Sequence, residues 1–179
     1  MLFSTTYAEN GHSVAADKTS WATYRNPKIG IEFNYPKNWA FHESPGNRVI
    51  ASFSFTTTTG HHGDFILSDM RPVRISFDRY YQRNLQKATR ITVGQENGFE
   101  RDELECSQEE PGSAMACLAS FQFESPALFS MGIDLSLDIN LPYEEGRKYS
   151  ESDAYPLFKD EVDQARHALS TLKLVGHAP

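Results

Sequence analysis

Two adjacent histidines and a nearby aspartate are the residues of this 179-residue sequence whose types best suit metal chemistry. His61, His62 and Asp64 occupy a glycine-flanked segment, and imidazole and carboxylate groups are ligands for zinc and similar divalent ions. A structural zinc site needs a fourth ligand, and the remaining histidines are scattered along the chain. They are His12, His42, His167 and His177. Three interpretations of the segment stay open: a functional divalent-metal site, an adventitious metal site on the surface, and an ordinary exposed polar loop.

The two cysteines are the second feature with chemical potential. Cys106 and Cys117 flank a polar stretch that contains the turn dipeptide Pro111-Gly112. The midpoint of the two cysteine positions falls within this dipeptide, so strands that fold back symmetrically place the cysteines directly opposite each other. Facing Cα atoms in such a pair are about 4.5 Å apart, which a disulfide bridges. We expect this disulfide and an oxidising compartment such as a periplasm; the alternative is two buried free thiols in a reducing one.

Other residue patterns that support catalysis are missing from the sequence. No G-x-S-x-G motif marks a serine nucleophile, and the segment from Gly94 to Gly98 lacks the spacing and the lysine of a phosphate loop. The acidic pairs Glu109-Glu110 and Glu144-Glu145 lie in polar, turn-like segments, where we expect them to stay solvated. The sequence therefore predicts no enzyme, and no cofactor beyond the metal alternative.

Several tyrosines are not required by the predicted core and are candidates for a partner-binding groove, because tyrosine is favoured at protein interfaces. The candidates are Tyr80, Tyr81, Tyr143 and Tyr149, with Phe129 and Tyr155 as further members of the set. The alternative is that these rings cap the rim of a small sheet.

Composition narrows the classes of partner. The chain has 17 basic and 24 acidic residues, a net charge of −7, and no cluster of lysine and arginine. Nucleic acid is therefore excluded as an expected partner. No apolar run approaches the roughly 18 residues that span a bilayer. A lipid anchor upstream of the given sequence stays open.

The chain divides into a short leader and one domain. Residues 1–20 lack helical or strand periodicity and are rich in small polar residues, as a flexible leader is. Thr6-Tyr7-Ala8 resembles a signal-peptidase site, so the leader is interpreted either as the remnant of a signal peptide or as a plain N-terminal tail. Residues 21–179 are expected to form a single domain, given about 100 to 200 residues per domain.

Strands dominate the predicted secondary structure. Alternating apolar and polar residues indicate strands, and the pattern is clearest over Met131 to Leu141, where six apolar residues alternate with polar ones. The other predicted strands are 21–25, 29–35, 49–55, 65–67, 73–77, 91–93, 99–106 and 115–124. One-sided alternation is typical of an antiparallel sheet that is packed on one face.

Two helices are predicted. The first begins near Asp78. The second is capped by Asp153, and its apolar stripe consists of Leu157, Glu161, Val162, Ala165, Ala168, Leu169 and Leu172. Lys159, Asp160, Asp163 and Arg166 fall off this stripe and are expected to be solvated. The fold class is therefore α+β, an antiparallel β-sheet with packed helices.

The first predicted hairpin carries a family resemblance. The segment from Tyr24 to Trp39, with Tyr35-Pro36 and a tryptophan three residues later, resembles the opening of the Mog1/PsbP-like superfamily. The closing stretch from Ala168 to Leu174 is similar to the end of that family. The resemblance implies an α/β/α sandwich, in which Trp39 seals the end of the sheet and marks the fold.

The superfamily includes extrinsic photosystem II subunits, a Ran-binding transport factor, chaperones for type VI secretion effectors and bacterial envelope lipoproteins. It has no shared catalytic residues. The resemblance therefore implies a non-catalytic binding or accessory module of the bacterial envelope that recognises a protein or peptide. Two alternatives remain: a metal-binding protein or metal-dependent enzyme that uses His61, His62 and Asp64, and a cytoplasmic chaperone for a secreted effector.

Overall fold

A computed structural model of the chain describes residues 20–46, 48–69, 88–108, 115–142 and 154–175. The strands in these residues form two antiparallel sheets, one of three strands and one of seven. The expected α+β class, an antiparallel sheet with packed helices, is confirmed. No helix in the described part of the chain is long and apolar enough to cross a membrane.

Several of the sequence predictions lie outside the described residues. Among the predicted elements these are the leader up to residue 19, the strand over 73–77, the helix that begins near Asp78 and the helix cap Asp153; the acidic pairs Glu109-Glu110 and Glu144-Glu145 lie outside as well. The division into a leader and a single domain stays a prediction.

The small sheet contains the hairpin predicted from the first alternating segment. Its strands are β1 (Trp21–Asn26), β2 (Ile31–Pro36) and β10 (Lys173–Leu174), in the order β1-β2-β10. Asn26 begins the turn, because its side-chain oxygen accepts the backbone N–H of Lys28 at 3.1 Å. Gly30 ends the turn at a φ of 72°, which favours glycine. The hairpin is confirmed.

The large sheet has the order β3-β4-β5-β9-β8-β7-β6. Its strands are β3 (Ala40–Gly46), β4 (Val49–Thr56), β5 (His62–Asp69), β6 (Thr89–Val93), β7 (Glu96–Gln108), β8 (Met115–Glu124) and β9 (Ile133–Pro142). β3 is absent from the sequence prediction. It is an edge strand that pairs with β4 alone among the described strands.

The described residues contain three helices, which connect and cover the sheets. They are α1 (Pro126–Met131), α2 (Ala154–Leu157) and α3 (Lys159–Ser170). The sequence prediction missed α1, which Ser125 caps by accepting the N–H of Leu128, and it placed Met131 in the following strand. The expected single terminal helix is also wrong in detail, because it is interrupted at Phe158, a residue with no exposed surface.

One aromatic core joins the two sheets and α3. Phe33 of β2 lies 5.6 Å from Phe53 of β4 and 5.9 Å from Phe65 of β5, measured between ring centroids. Trp39 is 3% exposed and stacks on Phe55 at 4.9 Å, so it closes the core beside the end of β2 as expected. The apolar stripe of α3 completes this core.

Candidate functional site

The segment predicted as an exposed histidine loop is largely a strand. His62 and Asp64 belong to β5, where they pair with Thr56 and Ser54 of β4, so the loop expectation is wrong for these two residues. Residues two apart on a strand share a face, and His62 Nε2 accordingly lies 3.2 Å from Asp64 Oδ2. Glycine at the intervening position fits closely against Phe55, where a Cβ would meet the ring at 2.5 Å.

His61 precedes this strand and makes different contacts. Its Nδ1 lies 2.7 Å from the Thr59 hydroxyl, and its ring meets Phe158 edge-on at 5.9 Å between centroids. Across the described residues, no three histidine, cysteine, aspartate or glutamate side chains are grouped so that they hold a metal ion. The described structure brings His62 and Asp64 together and gives His61 other contacts, and a metal site formed by the three residues stays a prediction.

The neighbouring strands β4 and β5 bring a serine, an aspartate and a histidine into contact, but not in a catalytic order. The Ser54 hydroxyl donates a hydrogen bond to Asp64, and Asp64 pairs with His62. In a serine triad the hydroxyl bonds the imidazole, which takes its proton, and the carboxylate lies behind the imidazole. This row therefore does not activate a nucleophile.

The predicted disulfide between Cys106 and Cys117 is confirmed. The two residues face each other in the β7–β8 register, with 4.0 Å between their Cα atoms, and the sulfur atoms are bonded at 2.01 Å. The two side chains share a face of the hairpin, on which Cys117 is buried and Cys106 is exposed. The bridge therefore fixes the register of the longest hairpin of the large sheet.

The four candidate tyrosines for partner binding, Tyr80, Tyr81, Tyr143 and Tyr149, lie outside the described residues. Of the two further members of that set, Phe129 is half-buried in α1, and the Tyr155 hydroxyl accepts a hydrogen bond from Arg166. The partner-binding role of the four tyrosines stays a prediction.

Tyr155 belongs to a group that we call the ion cluster, formed by Glu100, Tyr155, Asp163 and Arg166. Arg166 donates to both carboxylate oxygens of Glu100, with its Nε at 2.7 Å and its Nη2 at 2.8 Å. Its guanidinium also lies over the Tyr155 ring at 4.5 Å and bonds the Tyr155 and Asp163 oxygens. Glu100 is 4% exposed, and hydrogen bonding to this carboxylate raises the pKa of Arg166.

The ion cluster corrects the expectation that Arg166 is solvated. The guanidinium joins α3 to β7 through a residue 66 positions away, and no spacing in the sequence signals such a pair. Every member has a partner within the cluster. The cluster therefore joins α3 to β7 through bonds among its own members.

A row of acidic residues follows β9 on the face opposite the core. Burial raises the pKa of Asp134 and of Asp138, and the neighbouring carboxylates Glu124 and Asp64 add to this effect. Asp138 accepts hydrogen bonds from the hydroxyls of Ser120, at 2.6 Å, and Ser136, at 3.4 Å. These bonds partly offset the cost of burial and make the row another internally bonded feature.

The aromatic cleft is the place where the described structure exposes a large ring beside a cavity. It has a volume of about 370 Å³ and is lined by residues 23–28 with Tyr35, Phe41 and Glu43. Phe41 is 43% exposed, and its ring centroid lies 5.6 Å from Tyr24 and 5.3 Å from the buried Phe53. Burial raises the pKa of Tyr24, with a further contribution from the Glu43 carboxylate.

The aromatic cleft lies between the edges of the two sheets. The hairpin contributes β1 and its turn, and the large sheet contributes its edge strand β3. Sequence reasoning missed this site because it assigned no element to residues 40–46. The alternation of Trp39 and Phe41 with Ala40 and His42 is the signal that indicates a strand there.

A second cleft lies on the other side of the hairpin, beside β10, and we call it the polar cleft after the hydrogen bonds among its lining residues. It has a volume of about 680 Å³, and its lining combines the polar residues Glu32, Asn34, Glu96 and Thr171 with the apolar residues Phe33, Val93, Leu172 and the 54% exposed Leu174. Hydrogen bonds already join some of the residues that line this cleft. The N–H of Asn34 donates to the Thr171 hydroxyl at 2.8 Å, and the N–H of Ala127 donates to Glu96 at 3.1 Å.

No protein-family model matches the chain. No curated protein matches it at a significant level either.

Solved structures do match it. The Ran-binding protein Mog1p of Saccharomyces cerevisiae is 11% identical, with 88% of this chain and 97% of that chain covered and a TM-score of 0.46. A mutant of protein Mog1 is 13% identical, with the same coverage and a TM-score of 0.45. Cyanobacterial PsbP from Synechocystis sp. PCC 6803 is 12% identical, with 93% and 99% covered and a TM-score of 0.33. Proteins named Mog1 and PsbP are thus among the solved structures that this chain resembles, and a likeness at these identities extends to no function.

Proposed function

We propose that this protein is a non-catalytic binding module that recognises a peptide or protein partner through the aromatic cleft. The observation that carries the proposal is the exposed ring of Phe41, which is supported from below by Tyr24 and Phe53 and borders an open cavity. A ring held in place by other rings loses little conformational freedom when it is covered. Aromatic residues of this kind dominate the binding energy of protein interfaces.

The size of the cleft suits a few side chains of a partner. Small-molecule pockets range from about 300 to 1,000 Å³, so 370 Å³ lies near the lower limit. The cleft is open between two strands and has the charged residues Arg25, Lys28 and Glu43 along its rim. Apolar rings in the middle and polar groups around them are the arrangement of a protein interface.

The compartment that we propose is extracytoplasmic, such as a bacterial periplasm or the outside of the cell. The Cys106–Cys117 disulfide supports it, because such bonds persist in oxidising compartments and are rare in the cytosol. A cytoplasmic chaperone would keep both thiols reduced. The mass of protein purified from its native cells with thiols blocked at lysis distinguishes the two: the bridged form lacks two hydrogens, and recovery of the dithiol alone contradicts the proposal.

Binding is tested with a displayed library of random peptides of about ten residues, panned against the full chain. The affinity of the enriched peptides is then measured for the wild type and for two variants, Phe41→Ser and Leu174→Ser. These residues are the two exposed large hydrophobic side chains of the described structure, and each borders a different cleft, so Leu174→Ser is the matched control.

We expect Phe41→Ser to weaken the enriched peptides at least about tenfold, which is the effect of losing an interface hot spot. Leu174→Ser should leave their affinity unchanged. Equal loss in the two variants, or no enrichment of any peptide, would contradict the proposed function.

A further inference from the structure

The aromatic cleft contains a feature that determines how a peptide can bind: the outer edge of β1. β1 is at the end of the small sheet, and among the described strands it pairs with β2 alone. The cleft follows this edge along residues 23–28. An edge strand presents backbone groups to which an added strand can pair.

The register identifies these backbone groups. The Ser20 carbonyl accepts the N–H of Lys37 at 2.9 Å, one position before the facing pair Trp21 and Pro36. Hydrogen-bonded and non-hydrogen-bonded pairs alternate in an antiparallel ladder, so even-numbered residues of β1 bond β2. Pro36, which has no N–H, accordingly lies in a pair that requires none. The N–H and C=O groups of the odd-numbered residues therefore point away from β2.

Thr23 and Arg25 are these odd-numbered residues along the cleft, and both are exposed. A strand that paired with them would alternate its side chains between two surroundings. One set would lie beside Tyr24 and Phe41 in the cleft, and the other would lie beside the side chains of Thr23 and Arg25. Apolar residues suit the first set, and polar residues suit the second.

Charge defines the residue expected at one end of the added strand. Lys28 is exposed at the hairpin turn and has no ion-pair partner among the described residues, and Arg25, 64% exposed, is bound only to Glu32 at 3.6 Å. The turn end of the edge is thus basic, although the chain as a whole has a net charge of −7. Glu43 lies on the other wall of the cleft, on β3.

We propose that the aromatic cleft binds an extended peptide segment that adds as a strand to the free edge of β1, with alternating apolar residues facing Phe41 and an acidic residue beside Lys28. This inference rests on the proposed function and specifies the chemistry of its partner. Backbone pairing provides affinity, the cleft selects the apolar positions, and the basic turn selects the acidic end.

The test uses the peptides enriched from the same library and two pairs of variants. Thr23→Pro removes one outward N–H and leaves the bonds to β2 intact, since proline is tolerated on edge strands with its nitrogen toward solvent. Its control is Thr23→Ala. Lys28→Glu reverses the charge at the turn, and its control is Lys37→Glu, which makes the same change at an exposed residue outside the cleft lining.

We expect the enriched peptides to show apolar residues at alternate positions and an acidic residue at one end. Thr23→Pro and Lys28→Glu should each weaken binding at least about fivefold, and neither control should. Backbone amide exchange of the wild-type chain provides a second readout without any substitution: the N–H groups of Thr23 and Arg25 should become protected when the peptide is added.

The outcomes separate this inference from the proposed function. Peptides that depend on Phe41 but not on Thr23, and that leave both amides unprotected, overturn the strand addition and leave the binding module standing. Peptides without an acidic excess, or with full affinity for Lys28→Glu, overturn the charge preference. Enrichment of no peptide overturns both proposals.

Discussion

The ion cluster and the aromatic cleft differ in how many of their groups are bonded or covered within the fold. In the ion cluster, Arg166 bonds both oxygens of the buried Glu100 and covers the Tyr155 ring, so its polar groups are used within the fold. In the aromatic cleft, Phe41 is 43% exposed, and the outward backbone groups of Thr23 and Arg25 pair with no other strand among those described.

This difference separates structural from functional residues where the sequence alone does not. A charged cluster of arginine, glutamate and tyrosine resembles an active site by composition. Its members bond one another, however, and this gives the cluster a structural role. A half-exposed phenylalanine on an edge strand is ordinary by composition. Its position beside a cavity and an edge strand supports the binding role that we propose for it.

The largest expected effect is on stability and lies in the ion cluster. Arg166→Met keeps the volume of the side chain but leaves Glu100, 4% exposed, without its partner. Breaking a buried ion pair from one side costs about 3 kcal/mol. We expect a loss of about this size in the free energy of unfolding, measured by urea denaturation.

The control is Arg25→Met, which removes a more exposed pair with Glu32 at 3.6 Å. It should cost less than about 1 kcal/mol, the usual contribution of a surface ion pair. Equal effects of the two substitutions would remove the distinction between the cluster and the surface.

A smaller effect on stability is expected in the aromatic cleft. Phe41→Ser deletes a ring that is already 43% exposed in the folded chain, so less apolar surface returns to water on unfolding than for a core residue. The loss should stay near 1 kcal/mol in the same denaturation experiment. A loss as large as that of Arg166→Met would make Phe41 a structural residue, and the proposed function would lose its support.

The smallest effect is a dependence of the free energy of unfolding on pH, and it comes from the row of acidic residues on β9. In its bonding within the fold, this row is intermediate between the ion cluster and the aromatic cleft. Burial raises the pKa of Asp134 and Asp138 in the folded chain above the ordinary value of 3.8. Between 3.8 and the raised values the folded chain binds more protons than the unfolded chain. The contribution of these groups to the free energy of unfolding therefore falls as the pH rises through this window.

Asp134→Asn and Asp138→Asn together should flatten this slope in denaturation curves measured across the window. Asp69→Asn, at an exposed position on the neighbouring strand β5, is the control and should leave the slope unchanged. An unchanged slope in the double variant would show that the row is solvated.

Local patterns predicted much of the fold. Alternation located the β1–β2 hairpin, β4 and most of β9, and the symmetry of Cys106 and Cys117 about a turn gave the correct register of β7 and β8. These features depend on residues close together in the chain. The short helix α1 also has local signals, Ser125 before Pro126 and Gly132 after its end, which the sequence analysis did not use.

Features that depend on distant residues were not predictable in this way. Glu100 and Arg166 meet because α3 packs against the sheet, and no local pattern around either residue predicts the pair. Histidine and aspartate in a glycine-flanked segment indicate a loop by composition, but pairing with β4 and β9 extends β5 through His62 and Asp64. The aromatic cleft requires the edges of two sheets to lie side by side, a property of the tertiary structure.

The central claim is that the aromatic cleft, and not the polar cleft, is the binding site. The most direct measurement is a crystal structure of the full chain with a peptide enriched by panning. We predict an extended peptide along β1, bonded to the backbone of Thr23 and Arg25, with an apolar side chain against Phe41. A peptide bound in the polar cleft beside Leu174, or on the outer face of the large sheet, would contradict the account.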